Sequence, residues 1–94
     1  GEHAIGLKIN SVHEKPHQLF FPISQPYLES LDASFNHLVT LEGLRGLGQL
    51  KQLDVRWNQL TKARQDAAVL RKHTPALLKL DTRYNPWKSV SAGT

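Results

Sequence analysis

Hydrophobic positions recur along this chain in a fixed relation to asparagine. Leu28-x-x-Leu31-x-Ala33-x-x-Asn36-x-Leu38 is followed by Leu50-x-x-Leu53-x-Val55-x-x-Asn58-x-Leu60, then by Leu77-x-x-Leu80-x-Thr82-x-x-Asn85-x-Trp87. A shorter copy, Ile5-x-Leu7-x-x-Asn10-x-Val12, precedes them without the first leucine. Counted from Ile5, Leu31, Leu53 and Leu80, the copies step by 26, 22 and 27 residues. Self-similarity at steps of 20 to 30 residues predicts stacked structural units, each burying its apolar side against its neighbours.

Within each copy the alternation of apolar and polar residues predicts a short strand. The expected strands lie near residues 5–9, 30–34, 52–56 and 79–83. Leu31 and Ala33 point inward, Asp32 and Ser34 outward. Asn10, Asn36, Asn58 and Asn85 then turn inward, where an amide can satisfy backbone groups leaving the strand. After Asn36, leucines at 38, 41, 44, 47 and 50 follow at three-residue steps, which suits a tight return through 3₁₀ or short helical turns. The next return is longer. Lys62 to Lys72 reads as a helix with Ala63, Ala67 and Leu70 on one face, Thr61 as its cap and Pro75 beyond its end. The first return holds Phe20, Phe21, Pro22 and Pro26, and reads as extended with its aromatics buried. The whole chain, residues 1–94, is a single unit with copies at about 1–27, 28–49, 50–76 and 77–94.

The segment from Leu28 to Leu50 resembles the 22-residue, Sds22-like class of leucine-rich repeats, which also includes axonemal dynein light chain 1 and the spliceosomal protein U2A-prime. The run AAVLRKHTPALLKLDTRYNPW, from Ala67 to Trp87, resembles the longer repeat found near the ends of such arrays. The resemblance implies an α/β leucine-rich-repeat solenoid, with a curved parallel sheet of about four short strands and a 3₁₀ or helical convex side. Members of the class act as scaffolds or regulators by binding other proteins. No catalytic residue is carried over, and neither enzyme activity nor a cofactor is expected. The LD-x-R-x-NPW ending resembles axonemal members, so a cytoplasmic or ciliary setting is implied. The chain reads as a fragment of a larger protein. Its uncapped end copies are expected to be weak points, with residues 88–94 mobile and self-association at high concentration.

Outward strand positions of neighbouring copies stand side by side on the concave face. One column is Gly6, Asp32, Asp54 and Asp81, and the next is Lys8, Ser34, Arg56 and Arg83. The residues just before the asparagines give a third, Ile9, Phe35, Trp57 and Tyr84. Stacked aspartates repel, and Arg56 and Arg83 two residues along offset that repulsion. Phe35, Trp57 and Tyr84 are expected to stack at the lip where strand becomes loop, either packing on each other to cover the edge or forming a contact ridge. Tryptophan, tyrosine and arginine are the side chains richest in binding hot spots, and here they occur together. Glu29, Lys51 and Leu78, with Ser30, Gln52 and Lys79, flank this surface. The expected binding residues are therefore Phe35, Trp57, Tyr84, Arg56, Arg83, Asp32, Asp54 and Asp81, and the expected ligand is another protein. An RNA-associated adaptor of the U2A-prime kind is the alternative, with the arginine column and Tyr84 facing acidic partners or phosphates.

Composition narrows this reading. The chain has no cysteine, which removes disulfide scaffolds, thiolate metal sites and cysteine nucleophiles and fits a reducing compartment. No apolar window is long enough to span a membrane, and no secretory leader is visible. The net charge of +4 is spread along the sequence and predicts a mildly basic soluble surface, with no membrane and no nucleic-acid partner expected from charge alone. His13 and His17 have the spacing of a helical metal pair, but Pro16 lies between them and no third ligand is placed to complete a site, so no metal is expected. No phosphate-binding glycine loop, nucleophile elbow or metalloprotease motif occurs.

Overall fold

The computed structural model describes residues 5–9 and 26–87. Four strands of three residues each, β1 (Gly6–Lys8), β2 (Ser30–Asp32), β3 (Gln52–Asp54) and β4 (Lys79–Asp81), lie parallel and in chain order. Among the described residues one helix, α1 (Ala63–His73), connects β3 to β4. The strands are shorter than the alternation suggests. Parallel pairing nevertheless runs one residue past them, with the amides of Ile9, Ala33 and Val55 donating to the carbonyls of Asp32, Asp54 and Asp81 at 2.7–2.9 Å.

Register aligns Leu7, Leu31, Leu53 and Leu80 across the sheet. This corrects the first copy, whose strand was expected to align from Ile5. The true step from Leu7 to Leu31 is 24 residues, and the whole first row moves by two. Lys8, not Gly6, heads the aspartate column, and Ile9 belongs beside Ala33 instead of Phe35. Ile5, Leu7 and Ile9 alternate, so two registers bury the same face equally well by sequence. Backbone pairing to β2 selects one of them.

The core lies on one side of the sheet. Leu31, Ala33, Leu53 and Val55 face it from the strands, and Leu38, Leu41, Leu44, Leu47 and Leu50 close it from the return after Asn36. That return contains two isolated turns and no helix. Leu44 N donates to Leu41 O and Leu50 N to Leu47 O, and Gly43 and Gly46 take φ values of 111° and 61°. Each turn is a single one of 3₁₀ type, within the tight return expected here, and the glycines keep the turns from extending into a longer helix. The outer strands are less covered. Leu7 and Leu80 are 40% and 41% exposed, whereas Leu31 and Leu53 are buried.

Ala, Arg, Gln, Leu and Lys give α1 good intrinsic propensity. The helix starts at Lys62 with no side-chain cap, so Thr61 does not cap it. It ends at Thr74, whose amide and hydroxyl both donate to Leu70 O (2.9 and 2.7 Å), just before Pro75. Val69 and Leu70 pack on the core.

The asparagines tie adjacent segments together. Asn58 Nδ2 donates to Ala33 O and Val55 O (both 3.0 Å), and its Oδ1 accepts from Leu38 N at 3.1 Å. Asn36 donates to Ile9 O and Ala33 O, and Asn85 to Val55 O and Thr82 O while accepting from Leu60 N. Each amide thus bridges its own segment and the preceding one, as expected for Asn36, Asn58 and Asn85. Asn10, the histidine pair 13 and 17, the aromatics at 20 and 21 and the segment 88–94 lie outside the described residues.

Candidate functional site

In an extended strand, side chains alternate strictly, so Leu53, Val55 and Trp57 would all face the core. The backbone prevents this at one residue. Trp57 has φ 59°, and Phe35 and Tyr84, at the equivalent places, have φ 59° and 66°. A left-handed residue reverses the parity, so the ring swings out to solvent and the following asparagine turns in. Trp57 is 47% exposed while Asn58 is buried. Bulky side chains disfavour this region by roughly 1–2 kcal/mol per residue, and glycine or asparagine would occupy it more cheaply. Three aromatics hold it here, anchored because Phe35 N donates to Arg56 O and Trp57 N to Arg83 O.

The three rings form one stack. Phe35 and Trp57 lie 5.9 Å apart at 15°, and Trp57 and Tyr84 4.3 Å apart at 16°. Stacking returns about 0.5–1.5 kcal/mol per pair, so the two pairs offset only part of the cost of three left-handed residues. The edges of the rings remain open to solvent, and the Arg83 guanidinium lies 5.9 Å from the Tyr84 ring centre.

Beside the rings, the charges compensate one another. Arg56 grips Asp54 through Nε and Nη2 at 2.8–3.1 Å, and Arg83 grips Asp81 the same way at 2.8–2.9 Å. Arg56 Nε also reaches Asp81 Oδ2 at 3.7 Å. At the β1 end, Lys8 Nζ lies 3.4 Å from Asp32 and donates to Ser34 O at 3.0 Å. Hydrogen bonding from Arg83 holds the Asp81 carboxyl below its ordinary range, and the Asp54 and Asp81 partners raise Arg56 and Arg83. For Asp32, partial burial works upward, but the Ser34 hydroxyl and amide and then Lys8 outweigh it, and the net shift is downward. Exposed pairs of this kind add little stability. They fix the orientation of the arginines and leave the aspartates already engaged.

One polar group went unrecognised in the sequence. Asp66, on α1, is fully buried, and its Oδ1 accepts from Thr40 Oγ1 and from Leu41 N, both at 2.8 Å. The signal was present, since Asp66 falls between Ala63 and Leu70 on the apolar face. Burial pushes its carboxyl above the ordinary range, against the pull of the Leu41 amide, the Thr40 hydroxyl and the Trp87 indole. Neither Asp66 Oδ2 nor Trp87 Nε1 completes a hydrogen bond.

The sign of the pH effect follows. A carboxyl raised in the fold binds its proton more tightly there than in the unfolded chain, so folding is favoured as pH falls from neutral toward the ordinary value of 3.8. Compared with Asp66→Asn, the natural chain should therefore gain stability between neutrality and pH 4. Urea melts across that range check this, and a constant difference would show that Asp66 stays at its ordinary pKa.

No family model matches the chain, and no solved structure matches it. Among the described residues no group of three histidines, aspartates or glutamates is placed to hold a metal, and no helix is long and apolar enough to cross a membrane.

Proposed function

We propose that the chain is a stretch of leucine-rich-repeat solenoid of the Sds22-like class, and that it binds another protein through the Phe35–Trp57–Tyr84 ridge. One observation carries this reading. Three large aromatics occupy a costly backbone conformation whose effect is to expose them, while the inward places are given to asparagine. Strain kept at an exposed aromatic surface is what a binding site needs and a core does not. Asp54, Asp81 and Asp32 hold Arg56, Arg83 and Lys8 in place beside the ridge, so a partner meets oriented cations next to ring edges. The in-register leucines and the bridging asparagines support the repeat reading. The LD-x-R-x-NPW ending favours an axonemal or other cytoplasmic scaffold.

The rival, an RNA adaptor using the same columns, is less well supported. Bases bind aromatics face to face, and here Trp57 and Tyr84 cover each other's inner faces at 4.3 Å, too close to admit a base between them. The forks of Arg56 and Arg83 are also already engaged by carboxylates.

The test is affinity for a protein captured by the immobilised chain, measured beside melting. Trp57→Ala should weaken binding by about 2 kcal/mol or more and change stability little. Glu42→Ala, on the other side of the sheet, should alter neither. If Trp57→Ala unfolds the chain as badly as a core leucine substitution, the ridge is structural and the reading fails.

A further inference from the structure

The positive charge that is spread along the sequence is gathered by the fold. On the side of the sheet away from the ridge, α1 exposes Arg64, Arg71 and Lys72, with Lys62 at its start. Arg64, Arg71 and Lys72 are seven and eight residues apart and so share one helical stripe, with Ala68 between them. Arg45 joins them from the turn after β2, lining with Lys72 and His73 a hollow of about 450 Å³ at the helix end. None of these five cations makes an ion pair among the described residues, in contrast to Lys8, Arg56 and Arg83. Among the described residues, the only exposed acid beside them is Glu42, since Asp66 is buried.

Helix stability accounts for only part of this pattern. Cations in the last turn, Arg71 and Lys72, complement the negative end of the helix dipole. Lys62 and Arg64 stand at the opposite end, where the dipole disfavours positive charge, and Arg45 is not on the helix at all.

We propose that this face binds the phosphate backbone of nucleic acid, independently of the aromatic ridge. Lysines and arginines without ion-pair partners among the described residues, set along one helix face and the turn at Arg45, suit phosphates, which arginine engages through its planar fork. Two other anionic partners fit less well. A protein interface needs an apolar or aromatic centre, and a membrane-surface helix needs bulky apolar residues to insert. Every large exposed hydrophobic residue among those described lies off this face, on the strands and their flanks, with Ala68 the apolar residue in the stripe. Backbone phosphate binding requires no such centre, and it carries no sequence preference.

The experiment measures fluorescence anisotropy of a labelled 20-base-pair duplex, of oligouridylate, of poly-glutamate and of phosphatidylserine vesicles with the whole chain. Four phosphate contacts should make duplex binding fall by about 100-fold between 50 and 200 mM salt. Arg45→Glu and the Arg64→Glu/Arg71→Glu pair should each weaken nucleic-acid binding about tenfold or more, whereas Trp57→Ala should leave it unchanged. Arg64→Glu alone gives the separating measurement, because it should raise or preserve the melting temperature while weakening binding. The proposal is overturned if the charge reversals leave duplex and oligouridylate affinity intact, if Arg64→Glu lowers stability and binding together, or if poly-glutamate or vesicles bind as tightly as the nucleic acids.

Discussion

Leu53→Ala should lower the unfolding free energy by about 2–5 kcal/mol, the range for removing a buried leucine whose site cannot collapse. Leu53 is 2% exposed and stands in register between Leu31 and Leu80, so its side chain is held from both neighbouring strands. Little can move in to fill the gap. The strands are three residues long, β3 is fixed by pairing to β2 on one side and β4 on the other, and the return after Asn36 is pinned by its own turns. A urea melt of the purified chain reads the effect directly. A loss below about 1 kcal/mol would place Leu53 outside the packed layer.

Asn58→Ala should cost about 1–3 kcal/mol, although it removes only a small amount of apolar contact. The amide donates to the carbonyls of Ala33 and Val55 and accepts from Leu38 N, and the residue is 6% exposed. Ala33 O and Val55 O keep the bonds from Asn36 and Asn85, but Leu38 N is left without its partner, and a buried backbone group in that state costs about 1–3 kcal/mol. The damage also crosses segments, because the Ala33 and Leu38 bonds belong to the preceding one. Thermal melting should therefore show lower cooperativity as well as a lower midpoint. A near-natural melt would mean that water replaces the amide, which would make the asparagine spacing incidental to the fold.

How far the sequence carries differs from one element to the next. β2, β3 and β4 were legible because a leucine, an inward small residue and an asparagine at fixed offsets constrain both face and register. β1 was not, because Ile5, Leu7 and Ile9 alternate and period-two patterns slip by two without penalty; Lys8 reached its place beside Asp32 only through backbone pairing. The helix was visible to within a residue, but its cap was not, since Thr61 precedes a Lys62 that begins the helix without a side-chain bond. The aromatic column could be located by counting back from the asparagines. Its backbone could not be foreseen, because left-handed residues announce themselves as glycine or asparagine, and here they are phenylalanine, tryptophan and tyrosine. The pairing of Asp54 with Arg56 and of Asp81 with Arg83 followed from their two-residue spacing on one face. The basic face did not, since its members lie far apart in sequence and meet only when α1 packs beside the turn at Arg45.

The chain has two tryptophans, and the fold gives them different surroundings. Trp87 packs against the core near a buried carboxylate, while Trp57 lies in the exposed ridge with Tyr84 against its face. Their fluorescence thus reports on separate events: Trp87 emission follows unfolding, and Trp57 emission follows whatever comes to rest on the ridge. Trp87→Phe leaves Trp57 as the single tryptophan, which turns the protein into its own optical probe for a ligand, without any attached dye.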